Sequence, residues 1–223
     1  MPLLATVKNY FSKVRRLIIP PFCAYCRVIL EEDHPLCERC LGRIKPVVSV
    51  ALRITKKKTM PIFAVSTYDA PLRPLVQAKN YGNRCASRQL GMIIWEQTAV
   101  RHMSFDIIVP IPLHWTRYAK RGFNQSEEIA HEISKQSGKP IIKLLERSTQ
   151  TVFQVGLSRQ ERSENVKDVF SLSKNASIYA GKRILFIDDV MTTGATVYAA
   201  SRAVGPLKPL QVMAAVACRV INN

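Results

Sequence analysis

The sequence predicts an α/β fold: a parallel, twisted sheet flanked by helices, preceded by a small N-terminal four-cysteine domain. Three observations lead there. Short apolar runs alternate with helically patterned stretches from residue 59 onward, as buried parallel strands and their crossover helices do. Cys23, Cys26, Cys37 and Cys40 form two C-x-x-C turns, a spacing that suits one tetrahedral metal ion. Residues 184–196 read I-L-F-I-D-D-V-M-T-T-G-A-T, an apolar strand ending in two carboxylates and a hydroxyl-rich loop.

Taken in order, residues 1–19 place Leu3, Leu4, Val7, Tyr10, Phe11, Val14, Leu17 and Ile18 at helical spacing, with Lys8, Lys13, Arg15 and Arg16 between them. Such a basic amphipathic helix is expected to pack on its own domain, the alternative being weak contact with a membrane or a partner. No apolar run approaches the ~20 residues that span a bilayer. The run Leu17-Ile18-Ile19 meets Pro20-Pro21, so a signal-peptide core is lacking and a cytoplasmic protein is expected.

In the knuckle, four thiolates close the coordination of zinc and leave no catalytic position. An iron–sulfur cluster uses the same ligands, and two disulfides fit a cytoplasmic protein poorly. His34 falls inside the spacer and reads as a surface histidine. Cys85 and Cys218 stand alone, Cys218 as a small core residue. The chain carries 33 Lys+Arg against 16 Asp+Glu, a net charge of +17, and its first quarter is markedly positive. That balance suits polyanionic partners.

Residues 50–59, with Lys56-Lys57-Lys58, read as a basic linker. A strand is expected over 61–68, a short helix over 70–80, and a longer helix over 84–100 with Leu90, Ile93, Ile94 and Val100 on its apolar face. Residues 105–112, F-D-I-I-V-P-I-P, form another buried strand. Arg117, Lys120 and Arg121 then gather in a loop at the carboxyl end of that strand, where open α/β sheets bind ligands. This loop suits a pyrophosphate, although a solvated basic loop has the same composition. Trp115, Tyr118 and Phe123 beside it either stack nucleobases or pack the loop, and packing is expected. Asn124 is the expected N-cap of a helix over 125–136, with Glu127 completing a capping box. The polar stretch 147–165, which includes Arg147, Arg159 and Arg162, reads as a lid.

The strand over 184–187 ends at Asp188 and Asp189. The Thr/Gly loop that follows opens a helix over 197–204, and such a helix N-terminus cradles phosphate. Paired carboxylates repel phosphate but accept hydrogen bonds from hydroxyl groups or ligate a divalent cation. A ligand with a phosphate at one end and a vicinal diol beside it is a ribose 5-phosphate.

The segment Asp-Asp-x-x-Thr-Thr-Gly-x-Thr resembles the phosphoribosyl pyrophosphate (PRPP) motif of the type I phosphoribosyltransferases. The resemblance implies that Asp188 and Asp189 hold the ribose diol and that Thr192, Thr193, Gly194, Ala195 and Thr196 wrap the 5-phosphate. The four-cysteine knuckle, V-P-I-P-L-H-x-x-R-x-x-x-R-G-F-N-Q, T-x-x-Q-x-x-L-S-x-x-x-R-x-x-N and D-D-V-x-T-T-G-A-T occur in that order. Together they resemble the ComF/GntX family. That likeness implies a type I phosphoribosyltransferase core (amidophosphoribosyltransferase-like) over 59–223, a zinc-binding domain with basic linker over 20–58, and the amphipathic helix over 1–19.

The family further implies PRPP or a phosphoribosylated ligand with Mg²⁺, structural Zn²⁺, and a link to natural transformation. The partners implied are single-stranded DNA and an ATP-driven DNA translocase. Three functions follow: an accessory to DNA uptake, a PRPP-dependent transferase of nucleotide or amine metabolism, and a PRPP-sensing regulator without turnover. Purine-salvage relatives place an aspartate base where this chain has Thr192, and threonine takes no proton at neutral pH, so that salvage chemistry is not expected.

Overall fold

The computed structural model describes residues 20–32, 34–47, 49–55, 58–78, 82–147 and 169–221. Its strands are β1 (Val50–Arg53), β2 (Thr59–Thr67), β3 (Ile107–Pro110), β4 (Leu145–Arg147), β5 (Phe170–Leu172), β6 (Arg183–Met191) and β7 (Gln211–Arg219). Five of them form one sheet in the order β1-β2-β7-β6-β3, and β4 and β5 form a separate antiparallel ribbon. β2, β7, β6 and β3 run parallel, with β1 antiparallel at the edge. The helices are α1 (Glu38–Leu41), α2 (Leu72–Gln77), α3 (Arg84–Gln97), α4 (Trp115–Arg121), α5 (Gln125–Ser137) and α6 (Ala195–Ala203).

The alternation of side chains along β6 sets the layers. Leu185 and Ile187 point toward α2, α3 and α5, joining Leu72, Leu90, Ile93, Ile94, Ile129 and Ile133 in one buried cluster. Ile184 and Phe186 point the other way, onto Val197, Ala200 and Val204 of α6 and its exit. The wholly apolar run in β7 follows from this arrangement, because both of its faces and both of its edges are covered.

α3 and α5 cross closely at Gly91. A Cβ there would lie 2.8 Å from the Ile129 carbonyl oxygen and 2.8 Å from the Glu132 Cβ. Beside that crossing, buried Glu128 accepts from Arg88 Nε at 2.7 Å, with Arg84 Nη1 at 3.8 Å. Two arginines thereby compensate a carboxylate that burial would otherwise penalise.

The knuckle shares the larger core. Cys23, Leu36, Cys40 and Ile44 belong to the same buried cluster as α3. His34 is more than a surface residue: its Nε2 donates to Glu96 Oε2 at 2.8 Å, and its Nδ1 lies 2.6 Å from the Leu36 carbonyl oxygen. It ties the spacer between the cysteine pairs to α3.

Four local readings change. Residues 50–53, expected as linker, form β1, which pairs with residues 59–62 of β2. The helix expected over 84–100 ends at Gln97; Thr98 Oγ1 donates to the Ile94 carbonyl oxygen and accepts from Val100 N, opening a 3-10 turn, Ala99–His102. The strand expected over 105–112 pairs only across Ile107–Pro110. The loop carrying Arg117, Lys120 and Arg121 is the helix α4, ended by Gly122 in the left-handed conformation at φ +74°. The amphipathic stretch 1–19 and the lid residues Arg159 and Arg162 lie outside the described residues.

Candidate functional site

β6 does not stop at its acids. Its pairing with β3 ends at Ile187 opposite Pro110, whereas its pairing with β7 includes Asp188 opposite Val216 and resumes at Val190 opposite Cys218. The carboxylates therefore begin where β6 loses one neighbour. The crossover from β3 to β6 runs through α5 on one face, and that from β6 to β7 through α6 on the other. A change of face between adjacent parallel strands leaves a crevice beyond their carboxyl ends.

The start of α5 is anchored in that crevice. Asn124 caps it, as expected: its Oδ1 accepts from Ser126 N at 3.1 Å, while its Nδ2 donates to the Ile111 carbonyl oxygen at 3.0 Å. Ser126 Oγ donates to Asp188 Oδ1 at 3.2 Å, and the same oxygen accepts from Asp189 N at 2.9 Å. Glu127 is engaged elsewhere, accepting from Lys143 Nζ at 3.1 Å.

On the opposite side of the acids, Gly194 takes the left-handed conformation at φ +81° and begins α6. A Cβ there would meet Met191 and Leu52 only at ordinary contact distance, so the backbone angle rather than space is what favours glycine. Thr192, Thr193, Ala195 and Thr196 are exposed around it, and Thr193 Oγ1 accepts from Ala195 N at 3.4 Å. The first turn of a helix has N–H groups without intrahelical partners, and here Ala195 N is one that a threonine hydroxyl takes up. Two carboxylates and a helix N-terminus thus lie within one strand-loop-helix unit.

Arg147, the first residue of the stretch read as a lid, and Gln125, which the sequence did not single out as a ligand contact, both lie near Asp188. Arg147, at the end of β4, lies with its guanidinium 5.5 Å from the Phe170 ring centroid, and its Nε is buried without a hydrogen-bond partner. Burial pushes its pKa down, nearby Arg117 adds to that, and the charge of Asp188 opposes it. Gln125, next to Ser126, is likewise buried with its Nε2 unpartnered, while its Oε1 accepts from Arg121 Nη1 at 3.2 Å. An unsatisfied buried donor costs about 1–3 kcal/mol. Gln125 is revealed by position alone, next to Ser126, whose Oγ donates to Asp188.

α4 forms the rim. Arg117 and Lys120 are exposed, and Trp115 and Tyr118 are 62% and 51% exposed. The packing expected for the three aromatics holds for Phe123 alone, which is buried with the Arg84 guanidinium 5.5 Å from its ring centroid. No residue of α4 is buried, so the helix has no apolar stripe for sequence periodicity to detect.

The second centre is the knuckle. The four sulfurs of Cys23, Cys26, Cys37 and Cys40 lie within 4.8 Å of one another, and Cys26 Sγ is 3.7 Å from Cys37 Sγ. A tetrahedral ion with Zn–S bonds of about 2.3 Å separates its sulfurs by about 3.8 Å. All four thiols are free, so no disulfide competes. Burial acts to raise the Cys23 thiol, but backbone N–H groups of Cys26, Cys37 and Tyr25 outweigh it and bring the thiol down to about 6. Cys40 is pushed up to about 12, by burial first and then by the other three sulfurs. Crowded sulfurs therefore resist losing their last proton until a cation is shared among them. The cluster can hold a metal such as zinc.

The phosphoribosyl transferase domain model matches residues 110–222, from the last residue of β3 to beyond β7. Competence protein F of Haemophilus influenzae is 26% identical over 183 residues, covering 79% of this chain and 75% of that protein. DNA utilization protein YhgH of Escherichia coli K12 is 28% identical over 182 residues, covering 78% of this chain and 74% of that protein. Competence protein ComFC of Bacillus subtilis is 33% identical over 98 residues, 43% of this chain and 37% of that protein. Among the described residues no helix is long and apolar enough to cross a membrane. With more than half of its length matched, on a mainly parallel sheet behind a four-cysteine cluster, the chain belongs to the phosphoribosyl transferase domain family.

Proposed function

We propose that the chain binds PRPP with Mg²⁺ at the carboxyl end of β6 and acts, like the competence and DNA-utilization proteins it resembles, in DNA uptake. The observation that carries this reading is the placement of Asp188 and Asp189 immediately before the Gly194-capped start of α6. The acids receive the ribose diol, and hard carboxylate oxygens suit Mg²⁺. Thr192, Thr193, Ala195 and Thr196 surround the 5-phosphate, and Arg117, Lys120 and Arg121 balance the pyrophosphate. Zn²⁺ in the knuckle is structural. Arg159 and Arg162, outside the described residues, are assigned to the ligand's charge by the sequence reading of a lid.

Calorimetric titration of the full chain with PRPP and Mg²⁺ tests the site. Saturable binding is expected for the wild type, with a loss of at least about tenfold, roughly 1.4 kcal/mol, in Asp188→Asn/Asp189→Asn. Equal affinity in the double variant would remove the assignment.

One observation favours direct DNA contact: Trp115 and Tyr118 are exposed on the same helix as Arg117 and Lys120. Aromatic faces interleaved with cations suit single-stranded nucleic acid. Trp115→Ala/Tyr118→Ala is expected to weaken binding of an oligo-dT probe, and Arg117→Glu to reduce its salt dependence. Salt-independent binding unaffected by these changes would refute DNA contact at α4. Release of pyrophosphate in an acceptor screen separates a transferase from a sensor that holds PRPP without turnover.

A further inference from the structure

At the opposite end of the sheet lies a groove of about 1020 Å³. Among the described residues its walls are Ile54, Thr55 and Lys58 between β1 and β2, Arg202 in the last turn of α6, and Leu210, Gln211 and Val212 entering β7. Because β7 is nine residues long, this groove is ~26 Å from the carboxyl end of the sheet. An occupant there would leave the crevice at Asp188 open.

The two ends of the β1–β2 connection are tied together. Ile54 N and Thr55 N donate to the Lys58 carbonyl oxygen at 2.9 and 3.1 Å, and Lys58 N donates to Thr55 Oγ1 at 3.1 Å. Leu210 is 78% exposed at its mouth. Lys58 and Arg202 are exposed at its rim, and among the described residues its lining includes neither a carboxylate nor an aromatic ring.

We infer that this groove is a docking site for an acidic amphipathic peptide of a partner protein. Apolar side chains at i, i+3 and i+4 would enter between Ile54, Leu210 and Val212, with carboxylates facing Lys58 and Arg202. Charge complementarity selects this occupant. The chain's own segment 1–19 is amphipathic but carries Lys8, Lys13, Arg15 and Arg16 and no acid, so the rim repels it. A second copy brings a net charge of +17. Single-stranded nucleic acid satisfies the charge, but its bases find no ring in this lining on which to stack.

The probe is a fluorescein-labelled helical peptide with leucines on one face and glutamates on the other, titrated into the full chain and followed by fluorescence anisotropy. Saturable binding is expected, weakened at least about tenfold by Leu210→Asp and by Lys58→Glu/Arg202→Glu, and absent for the version with lysine in place of glutamate. All three positions are exposed, so folding should persist, and unchanged circular dichroism and PRPP titration in Leu210→Asp would establish it. Failure of the glutamate peptide to bind, or equal binding by Leu210→Asp, would overturn the inference. An oligo-dT probe that displaces the peptide and loses affinity in the same variants would also overturn it, assigning the face to nucleic acid.

Discussion

Gly91→Ala perturbs the closest approach between α3 and α5. The added methyl would lie 2.8 Å from both the Ile129 carbonyl oxygen and the Glu132 Cβ, one a backbone atom and the other the root of a side chain. Neither can swing away, so the helices must separate by several tenths of an ångström. Overpacking of this kind costs about 1–3 kcal/mol, while alanine recovers about 1 kcal/mol of helix propensity over glycine. The net is a loss of up to about 2 kcal/mol, or up to about 8 °C in Tm for a domain of this size. Thermal melting by circular dichroism measures it. Gly205→Ala is the control, because nothing lies within 4 Å of its added Cβ and its φ is not in the left-handed region. The displacement should also reach Ser126, three residues before Ile129, and weaken PRPP binding. A Gly91→Ala protein that melts at or above the wild-type temperature would refute the reasoning, as would an equal fall in the control.

Four further outcomes are expected. Cys37→Ser is expected to lose bound metal by elemental analysis and to lower Tm, and metal should leave the wild type on acidification because the ligand thiolates must be reprotonated. Glu96→Ala, which removes the acceptor of His34, is expected to speed metal release to a chelator, whereas Arg183→Ala leaves that rate unchanged. Asp106 is held down at about 2, chiefly by the Arg183 guanidinium hydrogen bonds and then by the Arg183 backbone N–H. A depressed carboxylate stabilises the fold above its ordinary range near 4 and loses that contribution as pH falls through about 2. Asp106→Asn should therefore melt slightly below the wild type at pH 7, and the gap should close toward acid in a pH series of melts.

The sequence was most legible where burial dictates pattern. Residues 184–187, covered on both faces, read as a strand without context, and the two C-x-x-C turns announced the four-cysteine cluster. Asn124 was legible because a cap is local chemistry. β1 was not, because an edge strand with only alternate half-burial resembles a basic linker when three lysines follow it. α4 buries nothing, so its periodicity is silent. The continuation of β6 through Asp188 depends on β7, whose pairing carries two carboxylates past the point where propensity would end the strand. The unsatisfied donors of Gln125 and Arg147 exist only once α5 and β4 are assembled near Asp188.

The sharing of one buried cluster by Cys23, Cys40 and the helices behind them has a temporal side. Synthesis proceeds from the N-terminus, so all four sulfurs leave the ribosome before any strand of the sheet exists. An ion captured at that stage would close a small template carrying Leu36 and Ile44, which in the finished fold share the buried cluster with α3. Glu96 then arrives to find His34 in place. Metal supply at the time of translation would then bear on how many chains complete that template before the sheet is made.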